Sequence, residues 1–308
     1  MLKLWEQVGT SLATRLLTAS EFALVFWVWF TFWWAVGHGG WAAYAAATAP
    51  LFSDGAALLA VAAGAVIVVV VSGLIVQRAA TPVLRLLEGY WPETSWREKR
   101  REAWRVKRDV YVQKEVDATP IGGLSEDSPA SVAADAMKWD AKLQDFPDRD
   151  SVLPTRIGNI IRAGERRPLP TYGLDPIIVW PQLWLALPEQ PRADVQDARS
   201  RLDSSVAAFI WSLLAAPAAL VGLWWGALGV VVAGLVALAI WRLWIPAEAR
   251  AYASVLTAIF DTQRFLLYDA LRLPRPKRPR DELQAGRALT RWIRRRDQVP
   301  ARFAPPPP

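Results

Sequence analysis

Long apolar runs without charge dominate the pattern of hydrophobic and polar positions along this chain. One of these runs, residues 56–76, contains no charged side chain over twenty-one residues. At about 1.5 Å of rise per residue, a helix of this length reaches roughly 30 Å, which matches the hydrocarbon core of a bilayer. We therefore predict that this run crosses a membrane as a helix.

Three further uncharged runs extend this prediction. They are residues 22–36, 206–225 and 230–241, and every lysine and arginine lies outside the four runs. The predicted fold class is therefore all-α, a polytopic membrane protein with four transmembrane helices arranged as two hairpins. The first hairpin is residues 1–76, with spans at about 20–40 and 56–76. The second is residues 206–245, with a tight turn near Gly226 and Gly229.

The first run has a second interpretation. Residues 22–36 also have the length of the apolar core of a cleaved signal peptide, and small residues follow them at Ala45, Ala47 and Ala49. We favour a retained anchor over a cleaved segment that ends near residue 47. The run is richer in Trp and Phe than such a core, and the basic residues before it are balanced by acidic ones.

The net charge of +7 is concentrated at the C-terminal end. Residues 77–205 carry twenty basic and twenty acidic groups, whereas residues 242–308 carry fourteen basic and six acidic groups. Basic residues beside a span indicate the cytoplasmic side and anionic lipid before they indicate nucleic acid. A single span over residues 206–241 would place the basic end outside, so we reject it. Both termini and residues 77–205 are therefore expected in the cytoplasm.

Residues 77–205 are predicted to be a helical cytoplasmic insert between spans 2 and 3. Ser95 and Glu98 form a capping-box pattern that opens a helix from Trp96 to about Val116. This helix has a basic stripe (Arg97, Arg101, Arg105 and Arg108) and an apolar stripe (Ala103, Val106 and Val110). A second, acidic helix is predicted from Pro129, capped by Ser128, to about Asp145. The two helices are expected to pair as a hairpin, with Arg101 and Arg105 opposite Asp135 and Asp140.

The segment after this hairpin contains the candidate ligand or partner site. Thr155 is predicted to cap a helix that ends near Arg166, and Asp175 is predicted to cap another. The apolar stretch 174–187 is too short and too rich in proline to span a bilayer, so it lies at the membrane surface or in the cytoplasmic core. The candidate residues are Arg156, Asn159, Glu165, Tyr172 and Asp175. Arg156 and Asn159 share a helical face suited to a phosphate or carboxylate; the structural alternative is an Arg156–Asp175 pair with Asn159 capping a turn.

The C-terminal part is predicted to contain two helices. Residues 246–273 form a cytoplasmic amphipathic helix, and residues 274–308 form a basic Pro-rich linker, a short helix over about 281–296 and a disordered tail. The short helix is basic and carries Trp292. Its candidate anionic-lipid contacts are Arg287, Arg291, Arg294 and Arg295.

The inventory of reactive side chains is small. The chain has no Cys and a single His, His38, and it contains none of the usual phosphate-loop, hydrolase or zinc-protease motifs. His38 and Asp54 lie in a loop without Lys or Arg that is expected outside the cell, but two ligands do not make a metal site. We expect no enzyme activity and assign no catalytic, cofactor-binding or metal residue.

Three stretches, PTRIGN, YGLDPIIVWPQLW and AIFDTQRFLLYDALRLPRP, carry a resemblance. With these motifs the chain resembles a group of uncharacterised multi-pass membrane proteins of high-GC Gram-positive bacteria. The resemblance covers the second half of the insert and the C-terminal helix. It implies a bacterial plasma membrane and no particular mechanism.

Two functions fit these features. The first is a membrane-anchored scaffold or regulatory protein, which binds a partner through its cytoplasmic helices and contacts anionic lipid at the cytoplasmic face. The alternative is an oligomeric ion channel, because the order of two spans, insert, two spans and tail is the layout of bestrophin-like channels. The expected partners are thus the bilayer and either a protein partner or further copies of the chain.

Overall fold

The computed structural model describes residues 2–52, 54–119 and 129–295, and for residues 2–19 it describes the backbone only. Every regular element in this part of the chain is a helix, which confirms the all-α prediction. The predicted loop at 121–128, the cap at Ser128 and the tail beyond residue 295 lie outside the described residues.

The first helices are α1 (Leu2–Gly37), α2 (Gly40–Thr48), α3 (Gly55–Glu88), α4 (Ser95–Ala118), α5 (Ala130–Leu143), α6 (Arg156–Arg166) and α7 (Pro168–Tyr172). They are followed by α8 (Pro176–Ala186), α9 (Glu189–Ala219), α10 (Gly226–Ala239), α11 (Ile245–Gln263), α12 (Phe265–Ala270) and α13 (Pro279–Arg295). A 3-10 turn at Leu220–Trp225 links α9 to α10, and a π turn at Ile240–Trp244 links α10 to α11.

The chain divides into two compact units. The apolar unit comprises residues 1–85 and 201–245, and the polar unit comprises residues 86–200 and 246–308. The chain therefore passes from one unit to the other three times.

Three helical stretches are long and apolar enough to cross a membrane: Ser20–Gly37, Gly55–Glu88 and Glu189–Gln263. The third stretch is not straight, because Leu223 has φ 54° and ψ −127°, outside any helical region. A Cβ atom placed on Gly229 would lie 2.6 Å from the Cβ of Ala219. In a continuous helix these residues would be about 15 Å apart. The chain therefore folds back at residues 220–225, close to the predicted turn.

Helix α1 runs antiparallel to α3 within the apolar unit. Ala23 packs in one cluster with Val76, and the indole Nε1 of Trp27 donates to Ser72 Oγ at 3.2 Å. Moving four residues forward on α1 thus corresponds to moving four residues back on α3. This register is the one that a hairpin of two successive helices requires.

Helix α1 runs parallel to the first apolar stretch of α9. The rings of Phe26 and Trp211 are 4.9 Å apart, and Trp29 Nε1 donates to the Ala215 carbonyl at 3.0 Å. At the end of α1, a Cβ on Gly37 would lie 2.6 Å from the Val221 carbonyl oxygen. The end of α1 and the 220–225 turn therefore lie at the same end of the apolar unit.

The core of the polar unit is built from α8, α11, α12 and α13. Its buried side chains include Leu183, Phe260, Leu267 and Leu289. The predicted amphipathic helix of the C-terminal part is broken at Arg264, where α11 ends and α12 begins. The break lets both pieces contribute to one core.

Helix α8 has two apolar faces. Val179 and Leu183 are fully buried in the core, whereas Ile177 and Leu185 are 62% and 81% exposed. The sequence predicted that residues 174–187 lie either at the membrane surface or in the cytoplasmic core. In the structure one face fills the core and the opposite face is left uncovered.

Helices α4 and α5 pack as the predicted hairpin. Tyr111 of α4 contacts Trp139 of α5, with ring centroids 5.6 Å apart. The cap of α4 is Thr94 rather than Ser95: its hydroxyl accepts the Arg97 N–H at 3.2 Å, so the helix begins one residue earlier than predicted.

The predicted charge pairing across this hairpin is wrong. Arg101 donates to the Val152 carbonyl at 2.8 Å and to the Asp150 carbonyl at 3.2 Å, and Arg105 binds Glu98 and Glu102 of its own helix. Arg101 thus holds the segment that follows α5 through its backbone. Asp135 and Asp140 are not the partners of these two arginines.

Candidate functional site

Asn159 is a structural residue rather than a ligand. Its side chain is 1% exposed, its Oδ1 accepts the Leu153 N–H at 2.6 Å, and its Nδ2 donates to the Leu153 carbonyl at 3.0 Å. Both ends of the amide are therefore used to close the turn before α6. The predicted alternative, a turn-capping asparagine, describes this geometry, and the buried amide leaves little surface for a phosphate.

Arg156 and Asp175 do not pair as the structural alternative proposed. Arg156 is exposed at the start of α6. Asp175 caps α8 as predicted, since its Oδ1 accepts the Ile177 N–H at 3.1 Å, and its Oδ2 lies 3.8 Å from Arg166. The charged partner of Asp175 is therefore Arg166, which lies ten residues after Arg156.

Glu165 lies in a mixed-charge cluster on α6. Its carboxylate is 3.6 Å from Arg162, and the charges of Arg166 and Arg199 also act on it. Burial nevertheless raises the pKa of Glu165 above its usual value, because the loss of water outweighs these three cations. The same burial effect raises the pKa of the neighbouring Tyr90 hydroxyl. The cluster therefore holds partly buried charge on α6.

Tyr172 joins α7 to α11. Its hydroxyl donates to Asp261 Oδ1 at 2.7 Å, and the Arg264 guanidinium lies 4.3 Å from its ring centroid. Burial, followed by the bond to Asp261, raises the pKa of the Tyr172 hydroxyl. Four of the five predicted site residues, Asn159, Glu165, Tyr172 and Asp175, thus have separate structural partners, and Arg156 is exposed away from them.

Helix α13 docks on the α7–α8 turn through its glycine and threonine. Gly173 adopts φ 72°, a left-handed conformation that suits glycine, and a Cβ on Gly286 would overlap the Tyr172 carbonyl. Thr290 Oγ1 accepts the Asp175 N–H at 3.1 Å and donates to the Gly173 carbonyl at 3.1 Å. Backbone therefore meets backbone here, and the position of α13 on the polar unit is fixed.

This docking creates an open groove of about 430 Å³, which we call the arginine groove. It is lined by Leu169, Gly173, Asp175, Ile178, Arg287, Thr290, Arg291 and Arg294. Asp175 from the predicted ligand site and three of the four predicted lipid contacts thus line one surface. Arg295 is exposed beyond it. Sequence reasoning missed this convergence, although the glycine of YGLD and the Gly286 position in the basic helix are its signals.

The three guanidinium groups of the groove are exposed. In the described part of the chain, the one hydrogen bond made by any of them is a 3.4 Å bond from Arg291 Nε to the Arg287 carbonyl. Asp175 is the single carboxylate among the lining residues, and both of its oxygens face other groups. The groove therefore presents excess positive charge and suits an anion.

His38 and Asp54 each have a partner close by in sequence. His38 stacks on Trp34 with ring centroids 4.7 Å apart, and Asp54 Oδ1 accepts the Ala57 N–H at 2.7 Å at the start of α3. Among the described residues, no group of three or more His, Cys, Asp or Glu side chains is arranged to hold a metal ion.

Comparisons with known proteins add no relative. No family model, no curated protein and no solved structure matches this chain.

Proposed function

We propose that this protein is a membrane-anchored scaffold or regulatory protein of the plasma membrane, which binds a partner protein through the α4–α5 hairpin. The observation that carries the proposal is the outer face of α4. Val106 and Val110 are 54% and 45% exposed, and Ala103 beside them is also exposed. The proposal assigns no reaction to the chain.

The arrangement of α4 is the reverse of the usual amphipathic helix. Its arginines face inward, where Arg108 Nε donates to the Pro147 carbonyl at 2.9 Å and Arg101 holds residues 150 and 152. The apolar stripe Ala103–Val106–Val110 faces outward. A helix usually buries its apolar stripe and exposes its charges. The exposed stripe is therefore suited to the groove of a partner.

The proposal includes four membrane spans with both termini in the cytoplasm, and two observations support this arrangement. The chain folds back at residues 220–225, and the end of α1 lies beside that turn, since Gly37 contacts Val221. Residues 37–55 carry no Lys or Arg, whereas residues 77–205 and the C-terminal segment carry nearly all of them. With the two turns at the outer side, the positive-inside rule puts the polar unit in the cytoplasm.

Photocrosslinking in intact cells tests the scaffold proposal. A benzophenone amino acid replaces Val106, and Lys277, which is exposed and lies outside the α4–α5 hairpin, is the control. We expect a single discrete adduct from Val106 that contains another protein and is lost when Val110→Asp is added. An absent adduct, or an equal one from Lys277, contradicts the proposal.

The second candidate, an oligomeric channel, is favoured by the outer half of α3. Leu59, Val66 and Ile67 are exposed, and a Cβ on Gly64 would meet nothing within 4 Å. A ring of such helices forms a hydrophobic constriction of the kind that gates by dewetting. Thr31 and Ser212 donate to carbonyls of their own helices, so their hydroxyl groups contribute little polarity to such a constriction. A ring of four or five copies with ion flux in liposomes would favour the channel; a monomer or dimer without flux would exclude it.

A further inference from the structure

We propose that the arginine groove, together with the exposed face of α8, is a binding site for an anionic phospholipid. The phosphate-bearing headgroup occupies the groove, and its acyl chains lie along α8. This inference is independent of the partner of α4, and the two are tested by different measurements.

The groove has the shape and charge that a headgroup requires. Its volume of about 430 Å³ is in the range of small-molecule sites, roughly 300–1,000 Å³. Arg287, Arg291 and Arg294 follow at i, i+4 and i+7, so they share one face of α13 over about 10 Å of its length. Guanidinium groups bind phosphate oxygens in a bidentate manner. Three guanidinium groups on one wall can therefore contact the same phosphate, which scattered surface charges cannot do.

The walls are fixed before the ligand arrives. Thr290 uses its hydroxyl as donor and acceptor to the 173–175 backbone, and Gly286 touches Tyr172. The far side of α13 buries Leu289 in the core, with Trp292 packed against it. The arginine stems consequently project from a rigid helix, which lowers the ordering cost of binding.

The one carboxylate in the groove does not oppose an anion. Asp175 accepts the Ile177 N–H at the start of α8 and lies 3.8 Å from Arg166. Its charge is thus balanced within the protein. The three arginines have no comparable carboxylate partner among the described residues, so their charge remains available.

The face of α8 beside the groove fits the acyl part of a lipid. Ile177, Pro181 and Leu185 are spaced by four residues and exposed, and the neighbouring Ile178 lines the groove itself. An apolar stripe next to unpaired arginines is typical of surfaces that lie at the boundary of headgroups and acyl chains. The polar unit is also joined to the apolar unit at three points of the chain, which keeps it beside a bilayer. We therefore assign the groove to membrane lipid rather than to an acidic or phosphorylated protein segment.

Native mass spectrometry of the full-length protein in detergent tests the assignment. The protein is titrated with dioleoyl phosphatidylglycerol, and with dioleoyl phosphatidylcholine as the neutral comparison. The groove variant is Arg287→Gln, Arg291→Gln and Arg294→Gln. The matched control variant removes three exposed cations outside the groove, Arg272→Gln, Lys277→Gln and Arg278→Gln.

We expect the groove variant to need at least tenfold more phosphatidylglycerol for equal occupancy, the control variant to stay within twofold of the wild type, and phosphatidylcholine to bind all three alike. Replacing Ile177 and Leu185 by Gln, at unchanged charge, should also weaken retention of phosphatidylglycerol. Equal binding by the groove variant and the wild type would overturn the proposal, as would an equal loss in the control variant. Displacement of the lipid by equimolar inorganic phosphate, or tighter binding of a phosphoserine peptide, would assign the groove to another ligand and overturn it as well.

Discussion

Gly286 of α13 lies directly against the carbonyl group of Tyr172, so that a Cβ atom on the glycine would overlap the carbonyl oxygen. Two backbones that are far apart in sequence meet here without a side chain between them. This contact brings the basic C-terminal helix onto the polar unit and thereby forms one wall of the arginine groove. The groove thus depends on a hydrogen atom at position 286.

Gly286→Ala is therefore expected to displace α13. Overpacking of a tight contact costs about 1–3 kcal/mol, and here the obstacle is backbone that cannot rotate away. Thermal unfolding of the detergent-solubilised variant should give a lower Tm than that of the wild type. Limited proteolysis should cleave the variant faster after residue 278. Gly234→Ala is the control, because a Cβ there meets nothing within 4 Å; equal Tm values for both variants would contradict this description of the contact.

Arg101 holds the segment after α5 through backbone carbonyls, and this geometry predicts how its substitution behaves. Arg101→Glu removes the bonds to Val152 and Asp150 and should lower the stability of the polar unit by roughly 1–3 kcal/mol. Reversing Asp135 and Asp140 to Lys should not restore it, because these carboxylates are not its partners. Urea unfolding followed by tryptophan fluorescence measures both variants. Recovery of stability in the combined variant would show that Arg101 pairs with these carboxylates across the hairpin, and would contradict this prediction.

The raised pKa of Glu165 makes a pH-dependent prediction. Burial disfavours the charged carboxylate more than Arg162 and the other nearby cations favour it. The pKa of Glu165 in the folded state therefore lies above the ordinary value of 4.5. The favourable contribution is complete below pH 4.5 and is lost as pH rises through the folded pKa. Relative to Glu165→Gln, the wild type should therefore gain stability as pH is lowered from 7 towards 4.5. A Tm difference that stays constant across this range, or changes in the opposite direction, would show that the carboxylate is not desolvated.

The sequence was sufficient for the features that depend on local chemistry. The four uncharged runs lie within three helical stretches that are long and apolar enough to cross a bilayer, and the third stretch contains two of the runs. The caps Thr155 and Asp175 were predicted correctly, because each accepts an N–H two or three residues later within its own turn. Such contacts are determined by neighbours in sequence.

The sequence was insufficient where distant segments meet. Periodicity separated the two stripes of α4 but did not show which one faces inward, since long arginine stems can pack while their heads bind carbonyls. Asp175 was grouped with Arg156, near it in sequence, whereas in the structure it lines a groove with residues of α13. Asn159 was a candidate ligand because the sequence alone does not show that its side chain is buried and bonded to the Leu153 backbone.

Labelling of single cysteines in intact cells tests the central claim most directly, because the chain contains no cysteine of its own. Ala47→Cys, Met137→Cys and Arg280→Cys place probes at exposed positions of α2, α5 and α13. With two hairpins and a cytoplasmic polar unit, a membrane-impermeant maleimide should modify only position 47, and positions 137 and 280 should react only after the membrane is opened. Modification of position 137 or 280 from outside the cell would contradict the account.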